Sequence, residues 1–175
     1  MFELRNGFET VENCQKFYDE YCHSGKILWS YDNFSQDGYP VDSFKSSMTT
    51  EELLEIDFIK ENKEKIDHLM KPKNNVLKSI FVNGQFSGYD GTMHTDHEDH
   101  RSYTCILFVN PKWERLWGGE FLLYDTKGNE IMGGSTIKPG RLVIFPANMQ
   151  HRGLGPFRLS ALLRVSVAFQ YKYEE

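Results

Sequence analysis

Three cysteines in 175 residues, Cys14, Cys22 and Cys105, are odd in number and far apart, so no disulfide framework holds this chain together. No CxxC pair exists to hold a structural zinc. No apolar run approaches the roughly 20 residues that a membrane-crossing helix needs, and the first residues, MFELRNGFETVENCQ, lack the apolar core and cleavage pattern of a secretory signal. Positive charge is also in short supply. Twenty Lys and Arg against 25 Asp and Glu leave a net charge of −5 and no electrostatic footprint for nucleic acid. Only six prolines are present, with no low-complexity tract, internal repeat or linker that would divide the chain. The expectation is a single domain over residues 1–175 in a reducing cytoplasm, with no nucleic-acid and no membrane partner. The oligomeric state is left open.

What is present is a globular composition: 39% hydrophobic, 14% aromatic and 26% charged residues. The first 75 residues read as helical support and loop. Val11 to Cys22 carries Phe17, Tyr18 and Tyr21 at helical spacing. SYDNFSQDGYPVDSFKSS, rich in Ser, Asp, Gly and Pro, reads as a loop. TTEELLEIDFIKENKEKIDHLMK opens on a Thr49-x-x-Glu52 capping box, and Leu53, Ile56, Phe58, Ile59, Ile66 and Leu69 suit one long amphipathic helix. After Pro72 the period changes to two. VLKSIFVNGQF, TMHTD, YTCILFV, GEFLLYD, EIMGG, RLVIFP and LLRVSVAFQYK are candidate strands separated by turn residues. Helices followed by seven or eight short strands predict an α+β, mainly β fold. The strands of 76–173 would form a sandwich or barrel, with the N-terminal helices packed on one sheet.

Chemistry concentrates in GYDGTMHTDHEDHRS, residues 88–102. In an extended segment His94 and Asp96 project to one side and Thr95 to the other. Two ligands hold a metal poorly, and the one later histidine is His151, just past RLVIFP. Two histidines and one carboxylate form the facial set that suits Fe(II) and leaves positions open for cosubstrate and O2. HEDH itself is not the HExxH of zinc peptidases, because its histidines are three apart. His97, Glu98, Asp99 and His100 read as a solvated loop, while His23 and His68 read as surface residues. In LLRVSVAF, Arg164 and Ser166 share a face, and a buried arginine there needs an anion. Its planar fork matches a carboxylate.

In this order, His94-x-Asp96, His151 and Arg164-x-Ser166, together with TCILFVNPKW, WGGEFLLYD and KPGRLVIFP…HRG, resemble the 2-oxoglutarate/Fe(II)-dependent dioxygenases. Within these they resemble the prolyl 4-hydroxylase-like group with its small bacterial and viral members. The resemblance spans about residues 78–172. It implies a double-stranded β-helix (jelly roll), with Fe(II) held by His94, Asp96 and His151 and the distal carboxylate of 2-oxoglutarate held by Arg164 with Ser166. Thr104, Ile106 and Phe108 would face the pocket by strand parity, with Phe121 on its wall. The implied cosubstrates are 2-oxoglutarate and O2, with ascorbate as a candidate reductant. The implied reaction hydroxylates a C–H bond and releases succinate and CO2. Its substrate would be a prolyl residue of a peptide or protein; the alternatives are a non-prolyl side chain, a free amino acid or a small metabolite.

Two departures from that pattern stand out. Phe108 occupies the place where many prolyl hydroxylases offer a tyrosine hydroxyl to 2-oxoglutarate, leaving Tyr103, Asn83 and Gln85 as candidate donors. The stretch between His151 and Arg164 is also long, so Arg158 competes with Arg164 as anchor. A catalytically silent jelly-roll binding module is the competing class. Arg152 is expected to point away from the metal, and Gly118-Gly119 and Gly133-Gly134 to begin or bulge strands. Trp113 and Trp117 read as core. The loop over residues 29–44, with Trp29, Tyr31, Phe34 and Tyr39, is a candidate substrate lid.

Overall fold

The structure, a computed structural model, describes residues 2–34, 40–158, 160 and 162–175. Helix α1 (Val11–Phe17) is capped by Thr10, whose side chain accepts from Asn13 N, and it runs on into a π-helical turn, Tyr18–His23. The Thr49–Glu52 capping box forms, but it opens a short α2 (Thr50–Leu54); a separate α3 (Asp57–Met70) follows. One long helix was expected. Ile56 instead adopts an extended backbone (φ −86°, ψ 112°), and Thr50 Oγ1 accepts Ile80 N at 3.0 Å, tying α2 to the sheet. Leu53, Ile56 and Ile59 are all buried across the break. The apolar stripe therefore survives a kink that periodicity cannot reveal.

Among the described residues, ten strands make two antiparallel sheets. They are β1 (Glu3–Arg5), β2 (Trp29–Phe34), β3 (Pro40–Ser46), β4 (Asn75–Gln85), β5 (Tyr103–Phe108), β6 (Phe121–Tyr124), β7 (Ile131–Ser135), β8 (Leu142–Pro146), β9 (His151–Gly153) and β10 (Arg164–Tyr173). The major sheet runs β1-β8-β5-β10-β4-β3-β2 and the minor sheet β7-β6-β9. This is the double-stranded β-helix.

The N-terminal third is less purely helical than expected. Its predicted loop is a hairpin, β2–β3, which extends the sheet edge at β4 through Phe44↔Gly84 and Lys45↔Asn83. Trp29 stacks on Phe44 at 4.7 Å, and both rings meet the space above Gly84 on the helix-covered face. Trp29 is thus packing rather than lid; residues 35–39, including Tyr39, lie outside the described residues. β1, which composition does not announce, pairs with β8.

Strand alternation sorts the core into two layers. Cys105, Leu107, Leu142, Ile144, Val165, Val167 and Phe169 face the helices and pack with Phe17, Ile59 and Ile66. Ile106, Phe108, Val143, Phe145 and Ala168 face the minor sheet and meet Phe121 and Leu123. A fully buried side chain of this size contributes about 1.5–3 kcal/mol, so a one-residue slip of register would expose both layers. The inner layer contains no residue of β4. Three strands do not cover seven: Phe81, on the inner face of β4, is 36% exposed, while Gln85 at the strand's end is tied to Gly153 of β9.

Candidate active site

The segment expected as a strand at 92–96 is a strap laid along β9. Gly91 N donates to Gly153 O (2.8 Å), His94 and His151 exchange both backbone hydrogen bonds (3.1 and 2.9 Å), and Gly155 N donates to Asp90 Oδ1 (2.8 Å). Asp96 N and His97 N then both donate to Ala147 O, which ends any regular ladder. The single bridge still sets His94 beside His151, with ring centroids 4.4 Å apart.

The two imidazoles are held alike. Nδ1 of His94 lies 2.9 Å from Thr92 O and Nδ1 of His151 lies 3.1 Å from Met149 O. Each Nδ1–H is thereby committed to a carbonyl, and the lone pair is left on Nε2. Both Nε2 atoms face Asp96: His94 at 3.6 Å from Oδ1, His151 at 3.5 Å from Oδ2. One donor atom from each of the three residues lies within 4.8 Å of the others, so they can hold a metal ion; no other such group occurs among the described residues. Burial pushes the His151 imidazole well below its ordinary pKa despite the charge of Asp96, so it is neutral and able to ligate at pH 7. Phe145 (4.7 Å) and Phe121 (5.8 Å) wall in the His151 ring.

Thr104 does face this site, and its Oγ1 donates to Asp96 Oδ2 at 2.6 Å. Its hydroxyl thus serves the carboxylate. Sequence parity points Thr104 inward but carries no sign of this contact.

Arg164 is buried on the inner face. Nε donates to Gly119 O (2.8 Å), Nη1 donates to Gln85 Oε1, and the guanidinium lies 5.5 Å over the Phe108 ring. No carboxylate among the described residues pairs with it, and burial pushes its pKa down to about 10. Its remaining N–H donors have no acceptor among the described residues, so the fork is able to take an anion. Two glycines make this room. A Cβ on Gly119 (φ +78°) would stand 3.2 Å from Arg164 Cδ, and one on Gly153 would stand 3.1 Å from Nη2. Neither glycine can be singled out in sequence for that purpose. Ser166 and Asn83 pair directly across strands beside Arg164. Between Arg164 and the triad the floor is Ile106 and the small Ala168.

Arg158 is exposed on the preceding loop. Tyr103 lies on the helix-covered face under Lys73 Nζ, 4.1 Å from its ring centre. Gln85 is engaged by Arg164 and donates to Gly153 O. Of the three candidate donors, Asn83 is the one on the inner face without a committed hydrogen bond among the described residues.

The HEDH run stays out of the cluster. His97 Nδ1 accepts Asp99 N (3.0 Å), and Glu98 and His100 are exposed. Arg101 binds Asp99 at 2.9 Å and holds its carboxyl down to about 2. Arg152 turns outward and donates from Nε to Tyr124 OH (3.1 Å). Trp113 and Trp117 are half-buried and meet edge to face at 5.4 Å.

No curated protein matches the chain in sequence. Similar solved structures include a prolyl hydroxylase from Trichoplax adhaerens in complex with a hypoxia inducible factor oxygen degradation domain peptide fragment. It is 19% identical, with 97% of this chain and 82% of that one covered and a TM-score of 0.71. A Pseudomonas putida prolyl-4-hydroxylase is 14% identical over 99% of this chain and 93% of its own, TM-score 0.64. A viral collagen prolyl hydroxylase from Paramecium Bursaria Chlorella virus-1, in a 2-oxoglutarate complex, is 16% identical over 99% and 96%, TM-score 0.64. At these identities the likeness establishes the fold. The sequence model of the 2OG-Fe(II) oxygenase superfamily matches residues 82–171, more than half of the chain. The chain therefore belongs to the 2OG-Fe(II) oxygenase superfamily and is an Fe(II)- and 2-oxoglutarate-dependent dioxygenase.

Proposed function

We propose that this dioxygenase hydroxylates prolyl residues within a peptide or protein, releasing succinate and CO2. The observation that carries the reading is the open inner face of β4 beside the triad. Phe81 on that face is 36% exposed and Ser79 half-buried, a surface on which a substrate chain can rest one row from Thr104, while the buried Arg164 lies farther along the same inner face. The solved prolyl hydroxylases that share the fold support the choice, one of them bound to a peptide.

In this reading Nε2 of His94, Nε2 of His151 and the Asp96 carboxylate hold Fe(II). The bound iron supplies the O2 and one-electron chemistry that side chains lack. Arg164 takes the distal carboxylate of 2-oxoglutarate in a charge-assisted fork. Ser166 and Asn83 donate to that carboxylate in place of the tyrosine hydroxyl that Phe108 cannot offer. Phe108, Phe121, Phe145 and Ile106 keep water from the covered end of the pocket.

The test supplies anaerobic protein with Fe(II), 2-oxoglutarate and ascorbate, admits O2, and follows succinate and a library of proline-containing peptides by mass spectrometry. Gain of one oxygen on proline, abolished by Asp96→Ala and His151→Ala, is the expected result. Succinate formed with other substrates but never with oxidised proline would overturn the prolyl assignment.

A further inference from the structure

Directly paired residues on neighbouring antiparallel strands share a face, with Cβ atoms about 4.5–5.5 Å apart. One such row crosses the inner face at the level of the triad. Phe145 on β8 pairs with Thr104 on β5, Thr104 with Gln170 on β10, and Gln170 with Ser79 on β4. The first two members belong to the metal site, since Phe145 walls His151 and Thr104 holds Asp96. The last two are half-buried and outside the core layer that meets the minor sheet. Ser79 Oγ donates to Gln170 Oε1 at 2.7 Å. That bond takes the carboxamide oxygen and leaves Nε2–H2 as a donor without a partner among the described residues. The next row places Phe81 beside Ala168, and Phe81 is 36% exposed although it lies on an inner face. A fixed amide donor and an uncovered aromatic surface therefore adjoin, one strand away from the residue that positions Asp96.

We propose that Gln170, oriented by Ser79, is a substrate-specificity residue of this dioxygenase. Its Nε2 donates a hydrogen bond to a backbone carbonyl of the substrate, whose apolar part rests on Phe81. This rests on the peptide reading above and deepens it: the enzyme selects a chain that offers a carbonyl acceptor next to an apolar group at the oxidised position. Ser79 is a positioning residue, because it fixes which end of the carboxamide faces the substrate. An unheld glutamine must lose rotamer freedom on binding; this one has already lost part of it.

The experiment compares wild type, Gln170→Leu, Ser79→Ala and the double variant. Each is assayed on the short proline-containing peptide that the wild type oxidises best. Peptide affinity is measured separately by fluorescence anisotropy on anaerobic protein loaded with Mn(II) and 2-oxoglutarate, and melting curves check folding. Gln170→Leu is expected to raise the peptide KM and Kd about tenfold, the loss of one hydrogen bond, while the KM for 2-oxoglutarate changes less than about twofold. Ser79→Ala should raise the peptide KM about threefold, and the double variant should be no worse than Gln170→Leu alone, since both changes act on one bond. An unchanged peptide KM in Gln170→Leu, a parallel rise in both KM values, or fully additive effects would each overturn the inference while leaving prolyl hydroxylation intact. If wild type oxidises a free amino acid or small metabolite and no peptide, the peptide reading itself fails, and the carbonyl partner with it.

Discussion

Replacing Thr104 with valine tests how the metal site is built. The two side chains have nearly the same shape, so the change deletes one donor and little else. Thr104 is fully buried, and its hydroxyl donates to an Asp96 carboxylate at 2.6 Å. A hydrogen bond to a charged group contributes about 1.5–3 kcal/mol net, and Thr104 itself is only 1% exposed. Loss of an outer partner of a metal ligand typically weakens metal binding roughly 10- to 100-fold, which at about 1.4 kcal/mol per decade spans nearly the same range. The two routes to the magnitude agree. Anaerobic titration calorimetry with Fe(II) or Mn(II) should therefore show Thr104→Val binding metal between one and two decades more weakly than wild type. Thr104→Ser, which keeps the donor, should stay near it. Wild-type metal affinity in Thr104→Val would mean that Asp96 is positioned by its backbone alone, through Asp96 N and Ala147 O, and would refute the reasoning.

Further outcomes follow from the same geometry. Arg164→Ala should raise the KM for 2-oxoglutarate roughly 100-fold, the loss of a buried charge-assisted contact, whereas Arg158→Ala should change it less than about twofold; the reverse pattern in steady-state succinate assays would move the anchor to Arg158. Gly140 has φ +67°, and a Cβ there would stand 1.9 Å from Glu9 O; Gly140→Ala should destabilise the fold by about 2 kcal/mol or more, read as a melting temperature lower by roughly 4–8 °C. Burial raises the Glu9 carboxyl, but hydrogen bonds from Lys65, Thr10 N and Asn13 outweigh it and hold its pKa below the ordinary glutamate value. A group whose folded pKa is depressed adds stability above its unfolded pKa and loses it as pH falls through the folded value. Acid titration below about pH 4.5 should thus lower the melting temperature less steeply in Glu9→Gln than in wild type, and identical slopes would refute the linkage.

How much of this could be read from sequence depended on whether a segment's composition or its neighbours decided its shape. β5, β8 and β10 are buried on both faces, so YTCILF, LVIFP and RVSVAF are apolar enough to announce strands by themselves. The β2–β3 hairpin has no such run. It is a strand pair because β4 presents an unpaired edge and because Trp29 and Phe44 pack over Gly84, and neither fact is local. β1 is three residues long and owes its extension to β8. The break between α2 and α3 was hidden for the opposite reason. Leu53, Ile56 and Ile59 keep helical spacing on both sides of it, and α2 is held to a strand 30 residues away through Thr50, a contact that periodicity does not show.

The site divides along the same line. His94 and Asp96 are two residues apart, so an extended backbone alone makes them neighbours, and a scarcity of histidines leaves His151 as the later partner. What sequence cannot supply is the scaffold that gives those side chains one state: the carbonyls of Thr92 and Met149 that fix both imidazoles, the hydroxyl of Thr104, and the space that Gly119 and Gly153 yield to Arg164. The unequal sheets add an asymmetry of their own. The His94 side chain is 37% exposed and that of His151 only 6%, so the triad stands at the border of the covered region. On its covered side lie Ile106, Ala168 and the unpaired guanidinium; on its open side lie Phe81 and Gln170. In the proposed reading the cosubstrate would sit on the covered side and the substrate on the open side, so the two would meet at the metal.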